Sequence, residues 1–179
     1  KENMEYKIIF GGQVGAGKTT AIAAISDVPV VKTEARASDD VALRKDTTTV
    51  AMDYGLINLP GGEKVHLFGT PGQTRFSFMW DVLTVGGLGL VLLIDNAAAN
   101  PVEDMVTYVE AFRKFIDNNA LVVGITRMDL STNPPLAAYI SKLQEMGINA
   151  PVYEVDARKA EDVEVMLMSL LSILELGLK

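Results

Sequence analysis

Residues 12–19 read Gly12-Gln13-Val14-Gly15-Ala16-Gly17-Lys18-Thr19, and they directly follow a largely apolar run at residues 6–10. The string matches the pattern G-x-x-x-x-G-K-[ST], which cradles phosphate when a strand precedes it and a helix follows it. The surrounding sequence predicts both elements, a strand over residues 6–10 and a helix over residues 18–26. Glycines let successive backbone N–H groups point inward, and the helix N-terminus adds the positive end of a dipole. The string therefore predicts a phosphate-binding loop.

The side chains of this loop carry distinct expected roles. Lys18 would reach the β- and γ-phosphates, and the Thr19 hydroxyl would bind Mg²⁺. The loop alone does not choose between ATP and GTP. The other residues expected to contact the nucleotide from the loop are Gly12, Gly15, Ala16, Gly17 and Thr20.

Strand-like runs alternate with longer amphipathic segments along the rest of the chain, which is the pattern of helices on both faces of a mostly parallel sheet. The predicted fold is an α/β P-loop NTPase sandwich of three layers, with a six-stranded sheet, one antiparallel strand, about five helices and one domain over residues 1–179. A Pro-Gly-Gly turn predicts that the strands on either side of it pair antiparallel. Residues 28–46 are predicted to be a long loop. The predicted strands are 6–10, 49–59, 64–68, 88–95, 121–125 and 152–155, and the predicted helices are 18–26, 75–83, 102–118, 136–146 and 160–176.

Composition excludes several classes of function. The formal net charge of −7 argues against a nucleic-acid partner, whose phosphates would require a basic face. The absence of cysteine excludes disulfides, Cys-ligated zinc and thiol nucleophiles, and it is compatible with a reducing compartment. The longest apolar run, residues 88–94, is far shorter than the roughly 20 residues of a membrane-spanning helix. No integral membrane segment is expected.

Four further segments lie in the order and spacing of the Ras-like small GTPases, which the chain resembles along essentially its whole length. They are Lys45-Asp-Thr-Thr-Thr-Val-Ala-Met-Asp-Tyr54, Phe68-Gly-Thr-Pro-Gly-Gln-Thr-Arg-Phe76, Gly124-Ile-Thr-Arg-Met-Asp129 and Val155-Asp-Ala-Arg158. The first two look like switch I and switch II of a prokaryotic branch, related to the signal-recognition-particle receptor beta subunit and to MglA-type GTPases. The resemblance implies a cytoplasmic regulator of bacteria or archaea.

In switch I the resemblance implies that a threonine binds Mg²⁺ and senses the γ-phosphate. The match favours Thr49, and Thr48 and Thr47 are the alternatives. Arg44 precedes these threonines and has two interpretations: an arginine that stabilises charge on the transferring phosphoryl group, or a solvated loop charge.

In switch II the chain departs from the family. Gly69 stands where the family carries the aspartate that holds a Mg²⁺-bound water, so the resemblance implies weaker metal binding. Gly72 matches the glycine whose N–H bonds the γ-phosphate, and Gln73 matches the residue that orients the attacking water. Aromatic residues follow Gln73 and form either core or a partner surface.

The last two segments are expected to read the base. The two oxygens of Asp129 can accept hydrogen bonds from guanine N1–H and N2–H₂, and adenine has no matching donor pair. Thr126 and Arg127 replace the asparagine and lysine of the family motif, and Arg127 can still lay a planar cation along the base. The resemblance assigns a backbone contact with the base to Ala157, beside Arg158.

Together these features predict a guanine-nucleotide switch that uses GTP, GDP and Mg²⁺ and hydrolyses GTP slowly through Gln73, Lys18 and Arg44. The resemblance implies a regulatory partner, a roadblock-type activator or an exchange factor, at switch I and switch II. An alternative is a nucleotide-binding scaffold without significant hydrolysis, and an ATPase requires that Asp129 lie away from the base. A P-loop kinase is disfavoured because the sequence has no Arg-rich lid insertion.

Overall fold

Seven strands and five helices make up the part of the protein that the computed structural model describes, residues 5–36, 49–72 and 86–176. The strands are β1 (Glu5–Gly11), β2 (Val31–Arg36), β3 (Thr49–Asn58), β4 (Lys64–Gly69), β5 (Gly89–Asp95), β6 (Ala120–Thr126) and β7 (Val152–Glu154). The helices are α1 (Lys18–Ile25), α2 (Pro101–Ala111), α3 (Arg113–Asn118), α4 (Leu136–Glu145) and α5 (Ala160–Leu176).

The strands form one mostly parallel sheet in the order β2-β3-β4-β1-β5-β6-β7. Only β3 runs against its neighbours, and it pairs antiparallel with both β2 and β4. The predicted turn after β3 is confirmed, since the N–H of Leu59 donates to the carbonyl of Glu63 at 2.8 Å. In a doubly wound sheet ligands bind at the carboxyl ends of the parallel strands, so the loops after β1, β5, β6 and β7 share one edge.

Strand β2 is a correction to the sequence prediction, which placed residues 31–36 inside a long loop and gave the sheet six strands. The segment reads Val31-Lys-Thr-Glu-Ala-Arg36, and its charges hide the strand pattern. An edge strand hydrogen-bonds on one side only, and charged residues are frequent there because they block further pairing. The polar composition of residues 31–36 is therefore the reason why the sequence predicts a loop where the structure has a strand.

Both faces of the sheet are covered, as the three-layer prediction requires. Along β5, Leu90 and Leu92 pack with α2, α3 and α4, whereas Val91 and Leu93 pack with α1 and α5. All four side chains are fully buried. Strands covered on both faces are continuously apolar, which explains the uninterrupted run in β5.

The predicted helix over residues 102–118 is interrupted at the buried Phe112, where α2 gives way to α3. The predicted helix over residues 75–83 lies outside the described residues. None of the described helices is long and apolar enough to cross a membrane.

Candidate functional site

The loop between β1 and α1 has the backbone of an anion-binding turn. Gly12 and Gly17 adopt φ values of 140° and 103°, in the region that favours glycine. A Cβ at Gly12 would lie 2.4 Å from the carbonyl oxygen of Leu93, so the loop is seated directly on β5. Gly17 caps α1 without a side-chain hydrogen bond, which leaves the first amides of the helix for a ligand.

Lys18 lies inside this loop. Its side chain donates to the carbonyl of Gly12 and, at 3.0 Å, to the carbonyl of Gln13. Burial lowers the pKa of Lys18 to about 8; the charge of Asp53 acts in the opposite direction and that of Lys32 adds to the effect of burial. The ammonium is therefore held by carbonyl oxygens at the place where phosphate oxygens would bind it in a P-loop.

The Thr19 hydroxyl donates to Oδ2 of Asp53, a residue of β3 to which the sequence analysis gave no role. Asp53 is the register partner of Gly69 across the antiparallel β3–β4 pair. A Cβ at Gly69 would lie 3.2 Å from the Cβ of Asp53, so the two positions present side chains to the same space. Asp53 thus places a carboxylate in the space that a side chain at Gly69 would enter, and the expected weaker metal binding stays a prediction.

The Asp53 carboxylate is buried and negatively charged. Burial alone would raise the pKa of Asp53, but Lys32 and the Thr19 hydroxyl hold it below its ordinary value. Its other oxygen, Oδ1, lies 2.5 Å from Nζ of Lys32 but receives no hydrogen bond of ordinary geometry from the described residues.

A hydroxyl and a carboxylate, both oxygen donors, fit a Mg²⁺ ion that completes its octahedron with phosphate oxygens and water. The residues that would hold it are Thr19 and Asp53. Thr49 opens β3 opposite Arg36, and its role as a metal ligand stays a prediction.

A cleft of about 610 Å³ adjoins the loop and joins three segments distant in sequence. Its walls come from the end of the phosphate loop, the turn after β6 and the turn after β7. Nine of the residues predicted to bind nucleotide line it, namely Gly15, Ala16, Gly17, Thr20, Thr126, Arg127, Asp129, Ala157 and Arg158. The sequence motifs for phosphate and for base therefore meet at one cleft.

Thr126 ties two of these walls together. Its buried hydroxyl lies 3.2 Å from the carbonyl of Ala16 and 3.3 Å from that of Ile94, and as a donor it bridges the phosphate loop and β5. Since the hydroxyl is engaged by backbone, Thr126 positions the walls of the cleft.

Arg127 has a left-handed backbone with φ of 60°, and its guanidinium lies 3.3 Å from a carboxylate oxygen of Asp95. This anchor holds the side chain against the end of β5. Asp129 is exposed on the cleft wall. Hydrogen bonds to Asp156 raise the pKa of the Arg158 guanidinium, and the charge of Asp129 adds to this effect.

The turn after β7 is internally braced. Arg158 donates to both oxygens of Asp156 at 2.9 and 2.8 Å, and these bonds lower the pKa of Asp156 to about 2. Ala157 is buried, and a Cβ at Gly17 would lie 3.0 Å from its Cβ. Glycine at position 17 therefore lets this turn approach the phosphate loop.

Helix α2 contacts the phosphate side of the site, which the sequence analysis did not predict. Gln13 donates to Asp104 at 2.8 Å, and the buried Tyr108 hydroxyl donates to the carbonyl of Gly72 at 3.1 Å. A Cβ at Gly72 would lie 2.3 Å from the backbone nitrogen of Val14. Gly72 is thus packed against the loop, close to where its N–H is expected to meet a γ-phosphate.

Gln73 and Arg44, two of the three predicted catalytic residues, lie outside the described residues, as do Thr47 and Thr48. Their roles stay predictions.

Two of the three comparisons with known proteins name nucleotide binding. A family described as "Conserved hypothetical ATP binding protein" matches residues 29–177, most of the chain beyond the phosphate loop. An uncharacterized protein of Methanocaldococcus jannaschii is 29% identical over 121 residues, which are 68% of this chain and 68% of that protein. A GTP-binding nuclear protein of Encephalitozoon cuniculi is 22% identical over 174 residues, covering 97% of this chain and 78% of that protein.

Proposed function

The chain belongs to the family of conserved hypothetical ATP-binding proteins, and within this nucleotide-binding family we propose that its nucleotide is GTP. We propose further that it slowly hydrolyses GTP to GDP as a molecular switch. The observation that carries this proposal is the placement of Asp129 in one cleft with the phosphate loop. A carboxylate pairs with the N1–H and N2–H₂ donors of guanine, whereas adenine would leave it facing an acceptor. The family description names ATP, so adenine nucleotide is the second candidate.

The expected chemistry is attack by water on the γ-phosphate, and the chain's own residues would position and stabilise it. Lys18 would leave the carbonyls of Gly12 and Gln13 for the phosphate oxygens. The N–H of Gly72 would bind the γ-phosphate, and Gln73 would orient the water. A bound Mg²⁺ would neutralise charge on the β- and γ-phosphates, held by Thr19 and Asp53.

Contacts of α2 support the proposed switch. Tyr108 holds the backbone of Gly72, and Asp104 holds Gln13. A γ-phosphate that moved either residue would therefore also move a helix of the core. We expect a partner to read this change at switch I and switch II.

Titration of the nucleotide-free protein with GDP, a non-hydrolysable GTP analogue, ADP and ATP tests the proposal. Each titration is run with Mg²⁺ and with chelator and followed by isothermal calorimetry. We expect guanine nucleotides to bind at least about a hundredfold more tightly than adenine nucleotides. A bound base would cover Asp129, and adenine would leave its two acceptor oxygens without donors at a cost of about 1–3 kcal/mol each. Tighter binding of adenine nucleotides would overturn the choice of base. Single-turnover assays of bound GTP then separate a switch from a scaffold that does not hydrolyse.

Replacing Asp53 with asparagine should abolish most of the gain in GDP affinity that Mg²⁺ gives the wild type. A contact with a charged partner is worth about 1.5–3 kcal/mol, so the loss should be roughly tenfold or more. Affinity in chelator should change little.

The matched control is Asp117→Asn, which removes an equally charged, ion-paired carboxylate on α3 at the other end of the sheet. An undiminished Mg²⁺ effect in Asp53→Asn would show that the metal is held without this carboxylate.

A further inference from the structure

Lys32 and Asp53 form an asymmetric ion pair beside the phosphate loop. They are register partners on β2 and β3, and Nζ of Lys32 lies 2.5 Å from Oδ1 of Asp53. The Lys32 side chain is 70% exposed, whereas that of Asp53 is 9% exposed. The lysine side chain thus lies mostly in solvent, whereas the aspartate side chain lies in the protein interior.

This asymmetry determines which partner can leave. If the pair opens, the Lys32 ammonium returns to water at little cost, because exposed ion pairs contribute only modestly. The Asp53 carboxylate would stay buried and needs another cation, since an uncompensated buried charge is strongly destabilising. The charge of Lys18 also acts on Asp53, but its ammonium donates to the carbonyls of Gly12 and Gln13, so opening of the pair is favoured when a further cation reaches Asp53.

The position of the contact identifies that further cation. Oδ2 of Asp53 already accepts the Thr19 hydroxyl, so the carboxylate and the hydroxyl form the oxygen-donor pair described above. Oδ1 is buried, and among the described residues Lys32 is the cation that meets it. A divalent ion bound to this oxygen would repel the ammonium that lies against it.

We propose that Lys32 is a built-in counter-ion that competes with the divalent cation for the carboxylate of Asp53. The inference rests on the proposed function, in that it takes Thr19 and Asp53 as the metal site. In the metal-free protein Lys32 compensates the buried charge, and on metal binding it withdraws to solvent. This competition lowers the affinity for the metal and so stabilises the metal-free form relative to the metal-bound form.

Strand β2 gives the competition a structural effect. Lys32 belongs to an edge strand that pairs with β3 alone, and its contact with Asp53 is a side-chain link across that pair. When the ammonium withdraws, β2 keeps its backbone hydrogen bonds and loses this link.

The test uses Mn²⁺ alone with the nucleotide-free protein, and the free ion is followed by its electron paramagnetic resonance signal. Lys32→Met should bind Mn²⁺ about fivefold more tightly than the wild type, because the energy of one exposed ion pair no longer opposes the metal. Lys32→Arg, which keeps the positive charge, should restore the weaker binding. Lys64→Met is the control for net charge, since Lys64 is an exposed strand lysine at the amino end of β4.

The outcomes separate the two hypotheses. If Asp53→Asn binds Mn²⁺ as well as the wild type does, the metal site itself is wrong and the proposed function loses its metal ligand. If Asp53→Asn loses Mn²⁺ while Lys32→Met and Lys64→Met both match the wild type, the metal site stands and the competition is refuted. Equal tightening in the two methionine variants would reduce the effect to overall charge and would also refute it.

Discussion

Replacing Lys18 with methionine should lower the affinity for GDP and GTP by roughly a hundredfold to several thousandfold. Removing one partner of a buried charge pair costs about 3–5 kcal/mol, and the phosphates would lose the one buried ammonium that meets them among the described residues. Methionine keeps most of the length of the side chain and removes its charge. Competition with a fluorescent GDP analogue measures the loss.

The same substitution should not unfold the nucleotide-free protein, and the lowered pKa of Lys18 gives the reason. Burial lowers the pKa of Lys18 from 10.5 to about 8, so the folded state holds the proton less tightly than the unfolded state does. The stability cost of the buried ammonium is fully present below pH 8 and declines as the pH rises toward 10.5. Lys18→Met should therefore equal or exceed the wild type in melting temperature at pH 7, and its advantage should shrink above pH 8.

These two readouts together decide the role of Lys18. Weak binding with an intact melting temperature assigns the lysine to the ligand. Tight binding by a folded Lys18→Met protein would show that the phosphates lie elsewhere. A lower melting temperature at pH 7 would contradict the sign of the burial effect.

Asp129→Asn should change the preferred base from guanine to xanthine. The affinity for GDP should fall at least about a hundredfold, and the affinity for xanthosine diphosphate (XDP) should rise above it. The asparagine amide offers one acceptor and one donor, which match the N1–H and the C2 carbonyl of xanthine. Guanine would instead set its N2–H₂ donors against the amide N–H₂. The bond to N2–H₂ would be lost and replaced by two facing donors, and the bond to N1–H would lose its charge; together these changes cost about 3 kcal/mol or more, which sets the size of the effect.

Competition between GDP and XDP for the fluorescent analogue measures this exchange, and the remote Asp117→Asn variant again controls for charge. The gain of XDP binding is the decisive result, because general damage cannot produce it. If the wild type prefers ADP and Asp129→Asn leaves that preference unchanged, the base is recognised without this carboxylate.

How much of this site is visible in the sequence depends on whether its contacts are local. The phosphate loop is a continuous string whose glycines and lysine act within one turn, and the strand and helix around it lie where the string predicts them. The turns after β6 and β7 meet the loop because parallel strands end at one edge, which follows from the fold class.

The features of the site that the sequence does not predict depend on strand register and on long-range packing. Asp53 lies beside the position of the carboxylate expected at Gly69 because the antiparallel β3–β4 pairing places the two residues opposite each other. A shift of one residue would turn Asp53 to the other face of the sheet. The contact of Lys32 with Asp53 depends on β2, and the polar composition of that strand is typical of a loop. The Gln13–Asp104 bond joins residues 91 positions apart, and no local pattern marks it.

The Thr126 hydroxyl meets the carbonyl of Ala16 across 110 positions of the chain. Closing such a loop requires β1, β5 and β6 to lie side by side, and the entropic cost of the closure is met by the contacts of the assembled sheet. A shorter chain that ended before β6 would still carry the loop but would lack the wall that faces it. The cleft therefore exists only in the assembled sheet, and under the proposed function a bound nucleotide would report that β1, β5 and β6 have come together.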